Sequence, residues 1–295
     1  MRFLILTHPG DDTALHVHAR LADRYSPDQV RLVTSEELIS APHWSHQLGN
    51  GKAVTEITLA DKTVLSSDDC GVVFNRLRYV SVPHFELAKE EDRNFAVMEL
   101  YALLLSWLAS LPCPVINPAS PRGLGAQERS QAEWLFLANQ AGLPIQGYAF
   151  SSDPRAFRSS GFLPHWRETS IDVDGAWNLK AVSPILVSRH PTFYLEPAEN
   201  IRQEVLVVGE QAIGELAGEF TEELNQLAEL SGCELLKIAF VTAGNWGSKG
   251  DGSERPSKEN SSWRVSKVTA FPQVHEHNAI EAIVELLESR STLRS

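Results

Sequence analysis

The chain has 295 residues, of which 43% are hydrophobic, and its formal net charge at pH 7 is −12. A chain of this length can bury one large core or several smaller ones, because domains usually contain roughly 100–150 residues. The acidic balance argues against a broad basic surface, from which proteins gain most of their affinity for nucleic acids. We therefore expect a folded protein without a nucleic-acid partner.

The cysteines and the apolar segments bear on the compartment. Cys70, Cys113 and Cys233 lie far apart without a C-x-x-C pair, which fits neither a disulfide framework nor a zinc site. The opening MRFLILTHPGDD has too short an apolar run for a signal peptide. The apolar stretch Phe95–Leu111 contains Glu99 and is too short and mixed to cross a bilayer, so it predicts a buried helix. These features predict a cytoplasmic protein that does not bind a membrane.

The first part of the chain has the pattern of a doubly wound α/β sheet. Phe3–Thr7 is a continuous apolar run that predicts a strand, and an amphipathic helix capped at Asp11-Asp12 follows it. The next predicted elements are strands Val30–Val33, Gly71–Phe74 and Val115-Ile116, a hairpin from Thr55–Leu59 and Thr63–Leu65, and a helix from about Glu86 to Leu111. Buried strands that alternate with helices predict a sheet covered on both faces.

The second part predicts a mixed α+β arrangement. Helices are predicted at Gln127 to Ala141, Thr221–Leu230 and Asn278–Leu287, and strands at Tyr148–Ser151, Trp177–Lys180, Pro184–Val187, Phe193–Glu196, Val205–Val208, Leu235–Val241 and Val265–Ala270. A hairpin is predicted where Gly209-Glu210 separates Val205–Val208 from Ala212–Leu216. The segment Thr242–Ser262 is rich in Gly, Ser, Asn and Lys, which predicts an exposed loop.

Several short motifs stand in an order that resembles the ATP-grasp superfamily. A strand ends in Asn75-Arg76, a long helix leads to Ile116-Asn117-Pro118, and a helix then ends in A-x-x-x-G-L-P. The chain is most similar to the peptide-modifying branch, which includes the microviridin and graspetide cyclases and the glutamate-adding ribosomal modification enzyme. The match follows the motifs through about residue 155, and the later V-V-G hairpin and paired strands continue it.

The resemblance implies an α/β, ATP-grasp-like fold in three parts. Residues 1–118 would form an N-terminal doubly wound (pre-ATP-grasp) domain, and 119–195 a linker helix with a shortened lid-like domain. Residues 196–295 would form the α+β core. The lid would be short because Lys180 is separated from the next strand by Ala181–Phe193, which contains neither a glycine nor a second lysine.

The resemblance also implies where magnesium and ATP would bind. In the family, carboxylate and amide side chains on the last two core strands hold the metal, and hard cations require such oxygen ligands. The matching strands here, Leu235–Val241 and Val265–Ala270, contain no carboxylate and instead carry Lys237 and Lys267. We therefore expect no metal site and a degenerate nucleotide site. The alternative is that Glu196, Glu204 or Glu234 supplies the displaced ligands.

The remaining site candidates follow from position and from the family pattern. Lys180 and Glu196 are candidates for nucleotide binding, and Asn75, Arg76, Arg78 and Arg202 are candidates for ligand binding. The first three of these ligand candidates end a strand at the sheet edge where doubly wound folds bind ligands. A structural role, in which the arginine ties adjoining loops together by salt bridges, is the competing interpretation. His275 and His277 have no third residue at a spacing suited to binding the same metal, so we do not predict a metal site there.

Three hypotheses about function follow from these observations. The first is an ATP-grasp-fold protein that has lost ATP- and Mg-dependent catalysis and binds a peptide, a protein partner or a small ligand. The second is an active ATP-dependent carboxylate-amine ligase with displaced metal ligands, for which ATP and Mg would be the cofactors. A homo-oligomer is compatible with either. Because fold does not fix function, an unrelated enzyme on the same scaffold remains a third hypothesis.

Overall fold

The computed structural model describes residues 1–80, 82, 85, 87–126, 129–153, 163–171, 177–180, 192–195, 198–243 and 263–292. The elements of the first half are β1 (Phe3–Thr7), α1 (Asp12–Ala22), β2 (Val30–Thr34), α2 (Ser35–Ile39), β3 (His43–Gly49), β4 (Lys52–Thr58), β5 (Val64–Ser66), β6 (Val72–Asn75), α3 (Glu90–Ser110), β7 (Val115–Ile116), α4 (Gln131–Gln140) and β8 (Tyr148–Ser151). Those of the second half are β9 (Leu163–Ile171), β10 (Trp177–Lys180), β11 (Thr192–Leu195), β12 (Ala198–Val208), β13 (Gln211–Ile213), α5 (Thr221–Ser231), β14 (Leu235–Ala243), β15 (Trp263–Thr269) and α6 (His277–Thr292).

The N-terminal sheet is parallel, with the strand order β2-β1-β6-β7. Its central strands β1 and β6 are mostly apolar and fully buried, because helices cover both faces of the sheet. Phe3 and Ile5 of β1 pack with α1 and α6, whereas Leu4 and Leu6 pack in a second core to which α3 contributes Trp107. This arrangement is the doubly wound sheet that the sequence predicted.

The C-terminal sheet is antiparallel, with the order β13-β12-β14-β15. Val205 and Val207 of β12 face a core that includes residues of α4 and α5. The alternate residues Leu206 and Val208 face the opposite way and pack in the same core as α6 and the N-terminal sheet. Helix α6 is therefore shared by both sheets.

Two smaller sheets complete the described architecture. Strands β8, β9, β10 and β11 form one sheet, with the order β10-β9-β11-β8. Strands β3, β4 and β5 form the other, a three-stranded meander. The sequence predicted the β4–β5 hairpin and its turn at Lys62, which has a φ of 71°. It missed β3, although Asn50-Gly51, with φ values of 52° and 74°, is a recognised hairpin turn sequence.

The helices deviate from prediction at identifiable residues. Helix α4 begins at Gln131 rather than Gln127, because the Ser130 hydroxyl and the Glu133 carboxylate form a capping box. The prediction that the apolar stretch within α3 is buried is wrong for its first half, where Phe95 is 66% exposed and Met98 is 69% exposed. Among the described residues, no helix is long and apolar enough to span a membrane. The three-part division of the chain stays a prediction.

Candidate functional site

The N-terminal sheet has a switch point between β1 and β6. From β1 the chain proceeds through α1 to β2 on one side, and β6 lies on the other side of β1. In doubly wound folds ligands bind beyond the carboxyl ends of the strands at such a point. The residues that follow these strand ends are His8 to Asp11 after β1 and Arg76 to Tyr79 after β6.

Arg76 forms a buried ion pair across this switch point. Its Nε and Nη2 donate to the Asp11 carboxylate at 2.7 and 3.0 Å, and the two side chains are 1% and 4% exposed. Nη2 also donates to the Pro272 carbonyl at 3.1 Å. Asp11 additionally caps α1, as predicted, by accepting from the Ala14 backbone N–H. Arg76 therefore holds the β6 end, the α1 start and the segment after β15 together.

Asn75 and Asn117 form a second set of links between loops. The Asn75 amide donates to the Leu124 carbonyl at 2.7 Å, and its oxygen accepts from the Leu77 backbone N–H. The Asn117 amide donates to the carbonyls of Leu235 and Ala270, and its oxygen accepts from two backbone N–H groups at the start of β14. Both side chains are buried and use their hydrogen-bonding groups within the chain.

His8 is buried at the same edge in a neutral form. Its Nε2 accepts from the backbone N–H of Arg78 at 3.0 Å, so Nδ1 carries the proton and donates to Ser35 Oγ at 2.9 Å. The ring stacks on Tyr79, with the ring centroids 3.9 Å apart. Burial, followed by the positive charge of Arg78, lowers the pKa of His8 to about 4.

We expect stability to decrease as the pH falls from 6.5 to 4, because the unfolded chain protonates His8 in this range while the folded chain does not. The slope from this group is on the order of 1 kcal/mol per pH unit, and the contribution is complete above the unfolded pKa. Urea unfolding at several pH values should show a shallower dependence for His8→Gln, which retains an acceptor for the Arg78 N–H. Equal slopes in both proteins would contradict the assignment of a neutral, buried His8.

A second group of polar side chains lies on the C-terminal sheet. Directly opposed residues of neighbouring strands share a face. Strands β12, β14 and β15 therefore form three rows of three residues each: Glu204–Ala239–Lys267, Leu206–Lys237–Thr269 and Arg202–Val241–Arg264. Beyond the part covered by α6, this face carries Arg202, Glu204, Lys237, Arg264, Lys267 and Thr269, which we call the polar face. It ends close to Pro272, the residue that Arg76 contacts.

Glu204 is held by two cations on the polar face. Arg202 Nη2 lies 2.6 Å from one carboxylate oxygen and Lys237 Nζ lies 3.1 Å from the other. The paired strands β14 and β15 contribute lysines and no carboxylate. Across the described part of the chain, no group of three or more His, Cys, Asp or Glu side chains is arranged to hold a metal. The donor set that the described residues place here does not fit magnesium, which requires several oxygen ligands.

The other candidates have different surroundings. Arg78 is half-buried, and its guanidinium lies 5.6 Å from the Phe271 ring centroid. Glu234 forms an ion pair with Arg290 of α6 rather than joining Glu204. Lys180 ends β10, where its Cα pairs with that of Trp166. Glu196, strand Pro184–Val187 and most of the loop predicted at Thr242–Ser262 lie outside the described residues.

An aromatic patch lies on the sheet that contains β8 and β11. It consists of Tyr148, Phe150 and Phe193. The ring centroid of Phe193 lies 5.1 Å from that of Phe150 and 5.8 Å from that of Tyr148. Phe150 is 54% exposed, which is unusual for a phenylalanine within a ring cluster. The patch offers apolar surface for a ligand side chain.

Three residues, His8, Asp11 and Asn117, organise this region through partners that the sequence did not indicate. The sequence analysis gives Asp11 a role only as a helix cap, places Asn117 only in the I-N-P motif, and gives His8 no role. The I-N-P motif and the H-P-G-D sequence marked their positions but not their partners. The partners lie as far as 153 residues away in the chain, as for Asn117 and Ala270. Spacing along a sequence carries no information on contacts of that kind.

Solved structures of peptide-modifying ligases are similar to this chain along nearly its whole length. An ATP-grasp ligase of Chryseobacterium gregarium, RiPP-associated and solved with ADP and a leader and core peptide, is 14% identical with a TM-score of 0.70, over 100% of this chain and 99% of the other. The macrocyclase MdnC of Microcystis aeruginosa, bound with its precursor peptide MdnA, is 15% identical with a TM-score of 0.73, over 98% and 100%. The ATP-grasp ligase PsnB with minimal precursor, Mg and ADP is 15% identical with a TM-score of 0.67, over 98% of each chain.

No family model and no curated protein matches the sequence. At this level of identity the structural similarity shows the fold, and it confirms the predicted ATP-grasp-like α/β class. The resemblance to the peptide-modifying ligases that the motifs indicated is thereby confirmed at the level of the fold.

Proposed function

We propose that this chain, whose fold is that of the ATP-grasp ligases, binds a peptide and has lost ATP- and Mg-dependent catalysis. The observation that carries the proposal is the polar face. The last two strands of the sheet pair there with Lys237 and Lys267 on the same side, and Glu204 is neutralised by Arg202 and Lys237. Phosphoryl transfer needs a metal between the phosphate oxygens, and positive side chains repel that metal.

Peptide binding is supported by two further points. The three similar ligases described above were solved with leader, core or precursor peptides. In this chain the exposed Phe150 and the aromatic patch offer an apolar anchor, whereas Arg78 offers a positive charge at the switch point. Arg202, another predicted ligand contact, has an exposed side chain, at 52%. We propose a cytoplasmic location with a peptide as partner.

The alternative of an active ligase has one observation in its favour. Glu204 is a carboxylate on the polar face, where the family pattern expects metal ligands. If Glu204 served as a ligand, Glu204→Gln would abolish ATP turnover. Under our proposal there is no turnover to abolish, and Glu204→Gln leaves Arg202 and Lys237 as uncompensated charges.

Calorimetry with ATP will show no increase in affinity when excess Mg²⁺ replaces EDTA, and a coupled assay will detect no ADP above the rate without protein. The physical reason is that Mg²⁺ would have to bind beside the positively charged side chains of Lys237 and Lys267. An affinity that rises tenfold or more with Mg²⁺, or ADP formation that Glu204→Gln abolishes, would establish the ligase instead.

The peptide arm of the experiment uses the same protein. A displayed random-peptide library is selected on the immobilised chain, and an enriched sequence is synthesised and titrated by fluorescence anisotropy. We expect Phe150→Ser to weaken the binding of that peptide. The control Leu48→Ser replaces an apolar residue of β3 that is 66% exposed, against 54% for Phe150, and should leave the affinity unchanged. Failure of any sequence to enrich, or equal affinities for both variants, would contradict peptide binding through the aromatic patch.

A further inference from the structure

Helices α4 and α5 lie side by side over the C-terminal sheet and run in opposite directions. Arg129, just before α4, donates from Nη1 to the carbonyl of Ser231, the last residue of α5, at 3.2 Å. At the other end, a Cβ added to Gly142, just after α4, would lie 3.4 Å from the Cγ of Glu223 in the first turn of α5. The start of each helix is therefore beside the end of the other. Both helices contribute buried residues to the core beneath them.

The side of this helix pair that faces away from the core is exposed and partly apolar. In α4, Leu135 is buried, whereas the neighbouring Phe136 is 51% exposed. In α5, Leu230 is 42% exposed, and it lies on the side that faces α4 because it is seven residues from Glu223. We call this side the outer face, and its exposed residues include Phe136, Gln140, Glu222, Gln226, Glu229 and Leu230.

The outer face belongs to an acidic stretch of the chain. Eight glutamates and no Asp, Lys, Arg or His lie between Arg202 and Lys237, so this stretch supplies −8 of the formal net charge of −12. Two of the eight, Glu204 and Glu234, form ion pairs away from the outer face. Exposed glutamates of α5 and of the turn before it are Glu215, Glu219, Glu222 and Glu229. Negative charge concentrated in this way attracts cationic groups.

We propose that the outer face binds an amphipathic helix of a partner protein. The apolar side of that helix packs on Phe136 and Leu230, and its lysine or arginine side chains lie beside the glutamates of α5. A third helix can pack along two neighbouring helices at interaxial distances of about 8–10 Å. Helix α4 has 10 residues and α5 has 11. At about 1.5 Å per residue, the outer face is about 15 Å long and accommodates about three turns of the partner helix.

The charge of the outer face selects among possible partners. A second copy of this chain would bring the same glutamates against this face, and like charges in contact are unfavourable. A membrane surface with anionic lipids is repelled for the same reason. A basic helix is attracted instead. Because the outer face shares no residue with the aromatic patch or the polar face, the partner helix is distinct from the peptide of the proposed function.

Fluorescence anisotropy on the full chain tests the proposal with a labelled helical peptide made only of leucine and lysine at amphipathic spacing. We expect Phe136→Ser to weaken the binding of this peptide at least tenfold, because apolar contact is lost. Glu222→Gln with Glu229→Gln should weaken it about threefold, since each exposed ion pair contributes little. In about 1 M NaCl the loss from the glutamate variant should disappear and that from Phe136→Ser should remain, because salt screens exposed charges.

Matched variants control for general effects on the surface. Phe150→Ser replaces a phenylalanine of the aromatic patch that is 54% exposed, against 51% for Phe136. Asp68→Asn with Asp69→Asn removes two exposed carboxylates before β6. Both controls should bind the peptide as the parent does. Leu230→Ser gives an independent test of the apolar contact, and equal urea midpoints will show that the variants are folded.

Several outcomes would overturn the proposal. The first are no binding of the leucine and lysine peptide, or equal losses in the outer-face variants and their controls. Equal binding of a shuffled, non-amphipathic peptide of the same composition would show that charge alone attracts it. Equal binding of a leucine and glutamate helix would show that the glutamates have no role. A loss from Phe150→Ser without one from Phe136→Ser would favour the aromatic patch, which supports the proposed function and refutes the outer face as the site.

Discussion

Replacing Arg76 with methionine will lower the free energy of unfolding by about 3–5 kcal/mol, which is the usual cost of removing one partner of a buried ion pair. Methionine is apolar and unbranched, so it occupies much of the same space. It leaves the Asp11 carboxylate, only 4% exposed, without its guanidinium, and the Pro272 carbonyl without a donor. Urea unfolding followed by tryptophan fluorescence measures the change.

Two further variants separate charge burial from other effects. Arg122→Met removes an ion pair with Glu133 whose side chains are 51% and 41% exposed, and it should cost less than about 1 kcal/mol. Adding Asp11→Asn to Arg76→Met removes the stranded charge, so the double variant should be more stable than Arg76→Met alone. If Arg76→Met costs no more than Arg122→Met, the ion pair does not hold this edge together.

Replacing Asn117 with alanine will lower the free energy of unfolding by about 3 kcal/mol or more, since each buried group left without a partner costs about 1–3 kcal/mol. Four hydrogen bonds are lost, two accepted by the Asn117 oxygen and two donated by its amide. The backbone adds to this, because Asn117 has a φ of 54°. Alanine is strained in that left-handed region by roughly 1–2 kcal/mol.

The backbone and hydrogen-bond contributions are separable with two more variants. Asn117→Gly relieves the φ strain but still lacks the amide, so it should recover only about 1–2 kcal/mol relative to alanine. Asn50→Ala tests a residue with a similar φ of 52° in an exposed turn, where only the backbone effect is expected. A loss of stability in Asn117→Ala as small as that in Asn50→Ala would show that the four hydrogen bonds of Asn117 contribute little. Urea midpoints measured by circular dichroism give all three values.

Strands β1 and β6 of the N-terminal sheet were predictable because they are apolar along nearly their whole length. Phe3–Thr7 was predicted with its observed bounds, since a strand buried on both faces leaves an uninterrupted apolar run. Strand β12 was predicted only at Val205–Val208, because its earlier residues, such as Glu199, Arg202 and Glu204, are polar. Where a strand extends beyond the core, its residues are polar, and the apolar pattern by which a strand is identified is absent.

The face on which each β15 side chain lies was not predictable from alternation. Val265 and Val268 both pack in the core, although a spacing of three places residues on opposite faces of a regular strand. A bulge at Ser266 resolves this, since the register shifts between the pairs of Ala239 and Phe240. Lys267 is thereby kept on the polar face beside Lys237. The sequence indicated lysines on these strands, but only the register shows that they are neighbours.

The sharing of α6 between the two sheets has a consequence for how the chain acquires its structure. Ile283, Val284 and Leu287 of α6 complete the core around Phe3 and Ile5, which are more than 250 residues earlier in the chain. Contacts of such separation form late, because the intervening loop entropy must be overcome before they add stability. On the ribosome, β1 therefore emerges long before the helix that covers it. Strand β1 depends on α6 for burial, so that assembly of the N-terminal sheet must wait until α6 has been synthesised.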